Sequence, residues 1–259
     1  MNILPKNKRS HKQRIAVILL SGGLDSTVLA AYAKRLGYDV HALTVRYGQV
    51  LDKELQSAHA VAEKLGLKQR IVDISQYKNV AWYSALTTPE LFDIPQNSDQ
   101  DAKGIPLTYV PLRNTFFIAL AAADLESEIL KKIEKDNVEP KDIDAKIFIA
   151  ANALDYSGYP DCRPEYYRKI NNLLKLATKA STQYHVSLKV QAPLLNKTKK
   201  EIAELGLKLK APLEWTWSCY VGAEAPCGKC DACQLRAQGF IEAGKEDPLM
   251  TRLRKEAKL

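Results

Sequence analysis

Residues 15–26, Ile-Ala-Val-Ile-Leu-Leu-Ser-Gly-Gly-Leu-Asp-Ser, decide the fold of this 259-residue chain. Six apolar residues in a row, several of them β-branched, are typical of a strand that is buried on both faces of a parallel sheet. Two glycines then interrupt the strand, and a helix is expected from Asp25 to about Arg35. Glycines let the backbone approach an anion closely, and the free N–H groups of a helix start attract it. The stretch therefore predicts a phosphate-binding loop, to which Ser21, Ser26 and Thr27 add hydroxyl donors.

The loop differs from the two commonest phosphate-binding loops. Neither Gly-x-x-x-x-Gly-Lys-Ser/Thr nor Gly-x-Gly-x-x-Gly follows the strand. Instead residues 21–26, SGGLDS, resemble the SGGxDS pyrophosphate loop of the ATP pyrophosphatases. The resemblance implies that the loop holds the β- and γ-phosphates of ATP while an acid is activated as an acyl-adenylate. A Ser/Gly turn that binds no ligand is the alternative.

Composition and charge narrow the class of protein. Hydrophobic residues make up 46% of the chain and charged residues 26%, as in an ordinary soluble globular protein. No apolar run approaches the roughly 18 residues of a membrane helix, and basic residues 1–14 make a poor signal peptide. We therefore expect a cytoplasmic protein with no membrane partner. The net charge of +8 invites a nucleic-acid interpretation, but much of it lies at the two termini, so no stable nucleic-acid partner is expected.

Strands and helices alternate along most of the chain. Strands are expected at 15–20, 39–45, 68–74, 105–110, 146–151 and 186–190. The alternation predicts an α/β fold with a doubly wound parallel sheet, in which ligands bind at the carboxyl ends of the strands. The expected organisation is a basic tail (1–14), an α/β nucleotide-binding domain (15–212) with a lid insertion (79–104), and a metal-binding segment (213–259).

Several loops bring polar side chains to this edge of the predicted sheet. Tyr47 offers an aromatic face for a base, and Arg113 offers a fork suited to phosphate or carboxylate. Lys197 or Lys199 can reach a phosphate, although a solvated lysine is the alternative for each. Asn114 either binds an amide or caps a helix, and Tyr47 either binds a ligand or belongs to a simple turn.

The loop at 152–165 gathers acids, tyrosines and an arginine, as a site for a small polar ring would. Asp155 or Asp161 can accept hydrogen bonds from a guanine-like edge, and a tyrosine can stack on the ring. Cys162 lies in the same loop. It is either a small buried residue, a neighbour of a helix start, or a nucleophile.

The other four cysteines lie within fifteen residues: Cys219, Cys227, Cys230 and Cys233. In a chain with no export signal, such clustering indicates a metal rather than disulfides. Four thiolates suit tetrahedral zinc and leave no position for water. We therefore predict one structural zinc ion.

Six segments, taken in order, resemble the 7-cyano-7-deazaguanine synthase (QueC) family: SGGLDS, RYGQ, YVPLRN, DYSGYPDCRPE, APLLNKTK, and SCY followed by CGKCDAC. The resemblance spans about residues 15–242, and DYSGYPDCR is its most specific part. It implies a pyrophosphate-loop fold, adenine nucleotide alpha hydrolase-like and Rossmann-like, with a small C-terminal zinc knuckle. It also implies an ATP-dependent carbon–nitrogen ligase that makes 7-cyano-7-deazaguanine from 7-carboxy-7-deazaguanine and ammonia, through an adenylated acid and an amide, for queuosine or archaeosine.

The resemblance and the loop analysis together give the expected site residues. ATP, with Mg, is expected at Leu20, Ser21, Gly22, Gly23, Leu24, Asp25, Ser26, Thr27, Val28, Leu29, Ala30 and Tyr47. The deazapurine is expected at Asn114, Asp155, Tyr156, Asp161 and Arg163. Catalytic roles are expected for Ser21, Asp25, Ser26, Arg113 and Lys197. Zinc is expected on the four clustered cysteines, and the protein is expected to be a homodimer.

Other functions stay open at this point. One is a tRNA-modifying pyrophosphate-loop enzyme, such as a thiolase or a lysidine synthetase. Another is a synthase relative that transfers the deazaguanine to a macromolecule. A third is a non-catalytic protein whose zinc knuckle binds nucleic acid, although such a protein needs no phosphate loop.

Overall fold

Five parallel strands form one sheet in the computed structural model, which describes residues 12–48, 52–93, 104–154, 159–221 and 223–258. The strands are β1 (Gln13–Leu19), β2 (Asp39–Arg46), β3 (Lys68–Asp73), β4 (Ile143–Phe148) and β5 (Lys189–Gln191), in the order β3-β2-β1-β4-β5. Every neighbouring pair is parallel. The order reverses next to β1, so the doubly wound sheet predicted from the sequence is confirmed.

Helices cover both faces of the sheet. They are α1 (Leu24–Arg35), α2 (Asp52–Leu65), α3 (Tyr77–Val80), α4 (Arg113–Glu134), α5 (Pro164–Ala177), α6 (Lys179–Thr182), α7 (Lys199–Lys208), α8 (Asp231–Glu242) and α9 (Pro248–Lys255). Alternate residues of β1 enter two different cores. Val17 lies with Ile118 and Ile129 of α4 on one face, and Ile18 lies with Val28 of α1 on the other. This double burial explains the uninterrupted apolar run of β1.

The expected strand at 105–110 is wrong. The described residues from 104 to 112 contain turns, in which the N–H of Tyr109 donates to the carbonyl of Pro106 and that of Arg113 to the carbonyl of Val110. Pro106 and Pro111 have no N–H to give to a sheet, which disfavours a paired strand here.

Two other strand boundaries differ from the expected ones. β4 begins at Ile143, earlier than expected, and ends at Phe148. Its extra residues include Asp144, whose carboxylate accepts hydrogen bonds from Lys146 Nζ and Tyr38 Oη at 2.8 and 2.9 Å. These partners allow a charged side chain in a half-buried strand position. β5 is only three residues long.

The phosphate loop packs directly against the backbone of α2. Gly22 has φ +83°, and a Cβ there would lie 2.4 Å from the backbone N of Ala58 and 2.6 Å from the carbonyl O of Glu54. The left-handed conformation and the lack of space both require glycine. This contact fixes the loop in front of the first turns of both α1 and α2.

Replacing Gly22 by alanine tests this contact, and Gly37 provides a matched control. Gly37 has φ +85°, and an added Cβ would meet no atom within 4 Å. Gly37→Ala is expected to cost only the left-handed strain of about 1–2 kcal/mol. Gly22→Ala should cost a further 1–3 kcal/mol or so, because the backbone of α2 has to move. Urea unfolding measures both values, and equal losses would contradict the close contact.

Candidate active site

The loop between β1 and α1 leaves helix N–H groups available for a ligand. The Ser21 and Ser26 hydroxyls lie 3.1 Å apart, the N–H of Gly23 donates to Ser21 Oγ at 3.3 Å, and Ser26 Oγ donates to the carbonyl of Gly23 at 3.2 Å. Among the described residues, no side chain caps α1. The first N–H groups of a helix need partners. An anion such as phosphate fits this position.

A lysine from α7 reaches Asp25 in the first turn of α1. Lys199 Nζ lies 2.7 Å from Asp25 Oδ2, and each side chain is 17% exposed. The other carboxylate oxygen, Oδ1, is buried and has no partner within the described part of the chain. The Lys197 ammonium instead pairs with Glu201 at 3.1 Å. The structure therefore brings Lys199 to the loop, whereas Lys197, the lysine chosen from the sequence, points to α7.

The local sequence explains why Lys197 and Lys199 point in different directions. Thr198 lies between them and caps α7, accepting a hydrogen bond from the N–H of Glu201, whose side chain bonds back to the N–H of Thr198. This capping box fixes where the helix starts. Lys197 therefore precedes the helix and stays close to Glu201, while Lys199 is its first residue and faces α1.

A cavity of about 340 Å³ opens in front of the loop at the carboxyl edge of the sheet. Ser21, Asp25, Tyr47, Arg113 and Lys199 all contribute to its wall. A second cavity, of about 200 Å³, continues towards the cysteine-rich segment and shares the loop residues and Lys199 with the first. Together they form one groove along the loop.

Arg113 and Tyr47 form one wall of the larger cavity. The Arg113 guanidinium lies 5.9 Å from the centre of the Tyr47 ring, which is itself buried and contacts Phe117 edge-on at 5.3 Å. Asn114 also lines the cavity. It does not cap α4, because the capping position is Leu112. Its amide oxygen instead lies 3.4 Å from Arg113 Nε.

The tyrosine- and acid-rich loop is only partly described. Asp155 and Tyr156 lie outside the described residues. Asp161 is buried, and burial raises the pKa of its carboxyl, whereas Arg113 and the N–H of Asn114 lower it. Arg163 is exposed at the start of α5 and does not line the cavity.

The same loop contributes two residues that the sequence analysis did not assign to the site. Tyr159 lines the cavity, and its hydroxyl lies 2.7 Å from that of Thr108. Cys162 lines it too, and burial raises the pKa of its thiol to about 12. A thiol that stays protonated near neutral pH is a poor nucleophile, which favours a structural role for Cys162.

Glu54 is the second unexpected feature of the site. It lies in the first turn of α2 and lines both cavities. Burial raises the pKa of its carboxyl to about 7, and Arg113 acts in the opposite direction. The sequence carries only a general signal, because the helix after β2 starts at the same edge of the sheet as the phosphate loop, which does not single out Glu54.

The four clustered cysteines meet beyond the second cavity. The Sγ atoms of Cys219, Cys227, Cys230 and Cys233 all lie within 4.8 Å of one another. A tetrahedral ion with metal–sulfur bonds of about 2.3 Å places its sulfurs roughly 3.8 Å apart. Backbone N–H groups of residues 221 and 227 donate to Cys219 Sγ at 3.3 Å, as they would to a thiolate. These residues fit one metal ion.

Trp217 joins the cysteine cluster to the phosphate loop. Its backbone N–H donates to the carbonyl of Gly22 at 2.9 Å, and its indole N–H donates to the carbonyl of Cys219 at 3.0 Å. Lys53 of α2 lies 5.1 Å from the centre of the indole ring. A single residue, Trp217, therefore links the cysteine cluster to the phosphate loop.

Comparison with known proteins identifies the family. The model of the family described as "Queuosine biosynthesis protein QueC" matches residues 15–244. The chain belongs to the QueC family. It is 44% identical to a protein of Thermoplasma acidophilum over 92% of each chain, and 45% identical to one of Picrophilus torridus over 90% of each. It is 40% identical to a protein of Nostoc punctiforme, over 91% of this chain and 98% of the relative. All three relatives are named 7-cyano-7-deazaguanine synthase.

Membership of the QueC family confirms the expected class, an ATP-dependent ligase of queuosine biosynthesis. Among the residues described, no helix has the length and apolar content needed to cross a membrane. The parallel sheet, the phosphate loop and the cysteine cluster of this QueC protein agree with the fold that the sequence predicted.

The metal site of this QueC protein can be tested with its own fifth cysteine as the control. Cys230→Ser removes one of four sulfurs that lie within 4.8 Å of one another, so bound metal should fall from about one ion per chain to nearly none. Cys162→Ser, outside the cluster, should keep the metal. Elemental analysis of the purified variants gives the ratio. Full metal content in Cys230→Ser would contradict the assignment.

Proposed function

We propose that the chain is a 7-cyano-7-deazaguanine synthase, which uses ATP to convert 7-carboxy-7-deazaguanine and ammonia into the nitrile. The single observation that supports this best is the shared cavity. It adjoins both the phosphate loop and Tyr159 and Cys162 of the DYSGYPDCR segment. Adenylation needs the α-phosphate of ATP and the substrate carboxylate to meet, and one cavity with both linings permits this.

In this proposal ATP lies along the loop. The uncapped N–H groups of α1 and the hydroxyls of Ser21 and Ser26 hold the β- and γ-phosphates, and Lys199 neutralises their charge. Tyr47 offers its face to the adenine. Mg²⁺ accompanies ATP, where it would neutralise the developing charge of the leaving pyrophosphate, and the unpartnered Oδ1 of Asp25 supplies a suitable oxygen.

The acid substrate then occupies the rest of the cavity. Its carboxylate oxygen attacks the α-phosphorus, pyrophosphate leaves, and ammonia displaces AMP from the acyl carbon to give the amide. A second ATP activates the amide oxygen, whose loss as AMP leaves the nitrile. Arg113 orients the carboxylate, and Asn114, Asp155, Tyr156 and Asp161 are proposed to bind the deazapurine, whereas the exposed Arg163 does not line the cavity. Arg113 suits the negatively charged carboxylate of the substrate, because a guanidinium pairs with a carboxylate through two hydrogen bonds.

The metal is proposed to be zinc with a structural role. Four sulfurs complete a tetrahedral shell, so no position remains for a reacting water. Zinc would hold the segment whose Trp217 contacts the phosphate loop. We further propose a cytoplasmic homodimer without a nucleic-acid partner. Exposed apolar side chains, among them Trp82, Leu112 and Phe116, offer surface for self-association.

The proposed reaction is tested by incubating the protein with 7-carboxy-7-deazaguanine, ATP, Mg²⁺ and an ammonium salt. Mass spectrometry should detect the nitrile, and omission of either ATP or ammonia should abolish it. AMP and pyrophosphate are the expected products of ATP, because the pyrophosphate loop releases these two. Absence of the nitrile from metal-loaded, ATP-binding protein would contradict the proposal.

The two lysines provide an internal control for the phosphate site. Lys199→Met removes the cation that contacts Asp25, and should lower nitrile formation by about 100-fold or more. Lys197→Met removes the partner of Glu201 outside the cavity and should change the rate little. Steady-state rates of nitrile formation by the two variants show which lysine serves the phosphate site. A larger loss of rate in Lys197→Met than in Lys199→Met would instead favour Lys197, the lysine chosen from the sequence.

A further inference from the structure

The side chain of Glu54, in the first turn of α2, faces the cavities, and the packing of α2 does not require a carboxylate there. Its backbone carbonyl contacts Gly22, so its side chain projects beside the phosphate loop, where it lines both cavities. Within the described residues, the Glu54 carboxylate forms no hydrogen bond and no ion pair with another side chain. The other charged groups of this wall are engaged: Asp25 with Lys199, and Arg113 with Tyr47 and Asn114. Glu54 is thus an acid that faces the cavity and has no structural partner.

We propose that the Glu54 carboxylate accepts a proton from the substrate nitrogen in each half of the reaction. This role rests on the proposed function. It also extends it, since Arg113, Lys199 and the N–H groups of the phosphate loop donate hydrogen bonds and cannot act as bases in this way, and the carboxylate of Asp25 is already paired with Lys199.

Both halves of the reaction need such an acceptor. In the first, the ammonia lone pair forms a C–N bond to the acyl carbon, the C–O bond to AMP breaks, and AMP departs with the electron pair. The nitrogen then carries one excess proton, which passes to Glu54 and leaves a neutral amide. In the second, adenylation of the amide oxygen leaves a positively charged iminium nitrogen, which loses one N–H proton to solvent to give the neutral adenylated imidate. The imidate then loses its remaining N–H proton to Glu54 as the C–O bond to AMP breaks and the C≡N bond forms. Solvent takes the proton from Glu54 after each half.

The surroundings of Glu54 suit repeated proton transfer. Arg113 of α4 faces the carboxylate together with Tyr47, which follows β2; Asp25 of α1, Lys199 of α7 and Tyr220 share the cavity wall. Burial raises the pKa of Glu54 to about 7 and Arg113 opposes the rise. A carboxyl that titrates close to neutral pH both accepts a proton and returns it readily. An ordinary carboxylate would be a weaker base.

The test separates adenylation from the steps that involve nitrogen. ATP–pyrophosphate exchange with 7-carboxy-7-deazaguanine needs no ammonia, so Glu54→Gln should leave its rate within about threefold of wild type. Amide and nitrile formation should fall about 100-fold or more, the usual contribution of a general base. Glu63→Gln, an exposed position on the same helix, is the matched control and should leave every rate unchanged.

The pH profile gives a second measure. At a fixed concentration of free NH3, wild-type nitrile formation should rise with pH through about 7 as Glu54 loses its proton, and Glu54→Gln should lack this rise. Wild-type rates in Glu54→Gln would overturn the proposal. So would a parallel loss of exchange and nitrile, or a greater Mg²⁺ requirement for exchange, since either marks a phosphate or metal role. A wild-type protein with neither exchange nor nitrile would instead contradict the proposed function, and the role of Glu54 with it.

Discussion

The close contact between the phosphate loop and α2 is the constraint on which the site depends. Gly22 lies so near the backbone of α2 that no side chain fits between them. Trp217 then holds the carbonyl of Gly22 from the other side, and Lys53 of α2 lies over the Trp217 ring. The loop is therefore set by backbone contacts, and the N–H groups of α1 stay available for an anion. Such fixed donors need little reorganisation when phosphate charge develops.

Charge is distributed unevenly around this loop. Lys199 and Arg113 bring positive charge to a chain that is basic overall, as ATP and an acid substrate require. Yet Asp25 and Glu54 lie on the same wall. Asp25 pairs with Lys199 and so orients it, whereas Glu54 has no such partner and burial weakens its acidity. One cavity thus combines two cationic side chains with a carboxyl whose pKa is raised to about 7.

The sequence predicted what local patterns determine. The apolar run of β1, the glycines after it and the cysteine spacing each have a direct physical cause, and the structure contains the strand, the tight loop and the cluster. The prediction of a strand at 105–110 was wrong, because the two prolines in and beside this segment cannot donate backbone hydrogen bonds to a sheet, whatever its apolar content. The choice between Lys197 and Lys199 could not be made from residue type. It depends on where the Thr198 capping box starts α7, and on which neighbour that start faces. Glu54 was missed for the same reason, since its exposure to a cavity follows from the packing of α2.

The bond between Trp217 and Gly22 also orders events during synthesis. Gly22 is synthesised long before Trp217, so the chain between them must leave the ribosome before the two can meet. Contacts so distant in sequence carry a large loop-closure entropy, which slows their formation. The sheet can assemble first, while the phosphate loop waits for Trp217 and the cysteine-rich segment. A chain that stops before Trp217 consequently lacks the hydrogen bond that holds the carbonyl of Gly22.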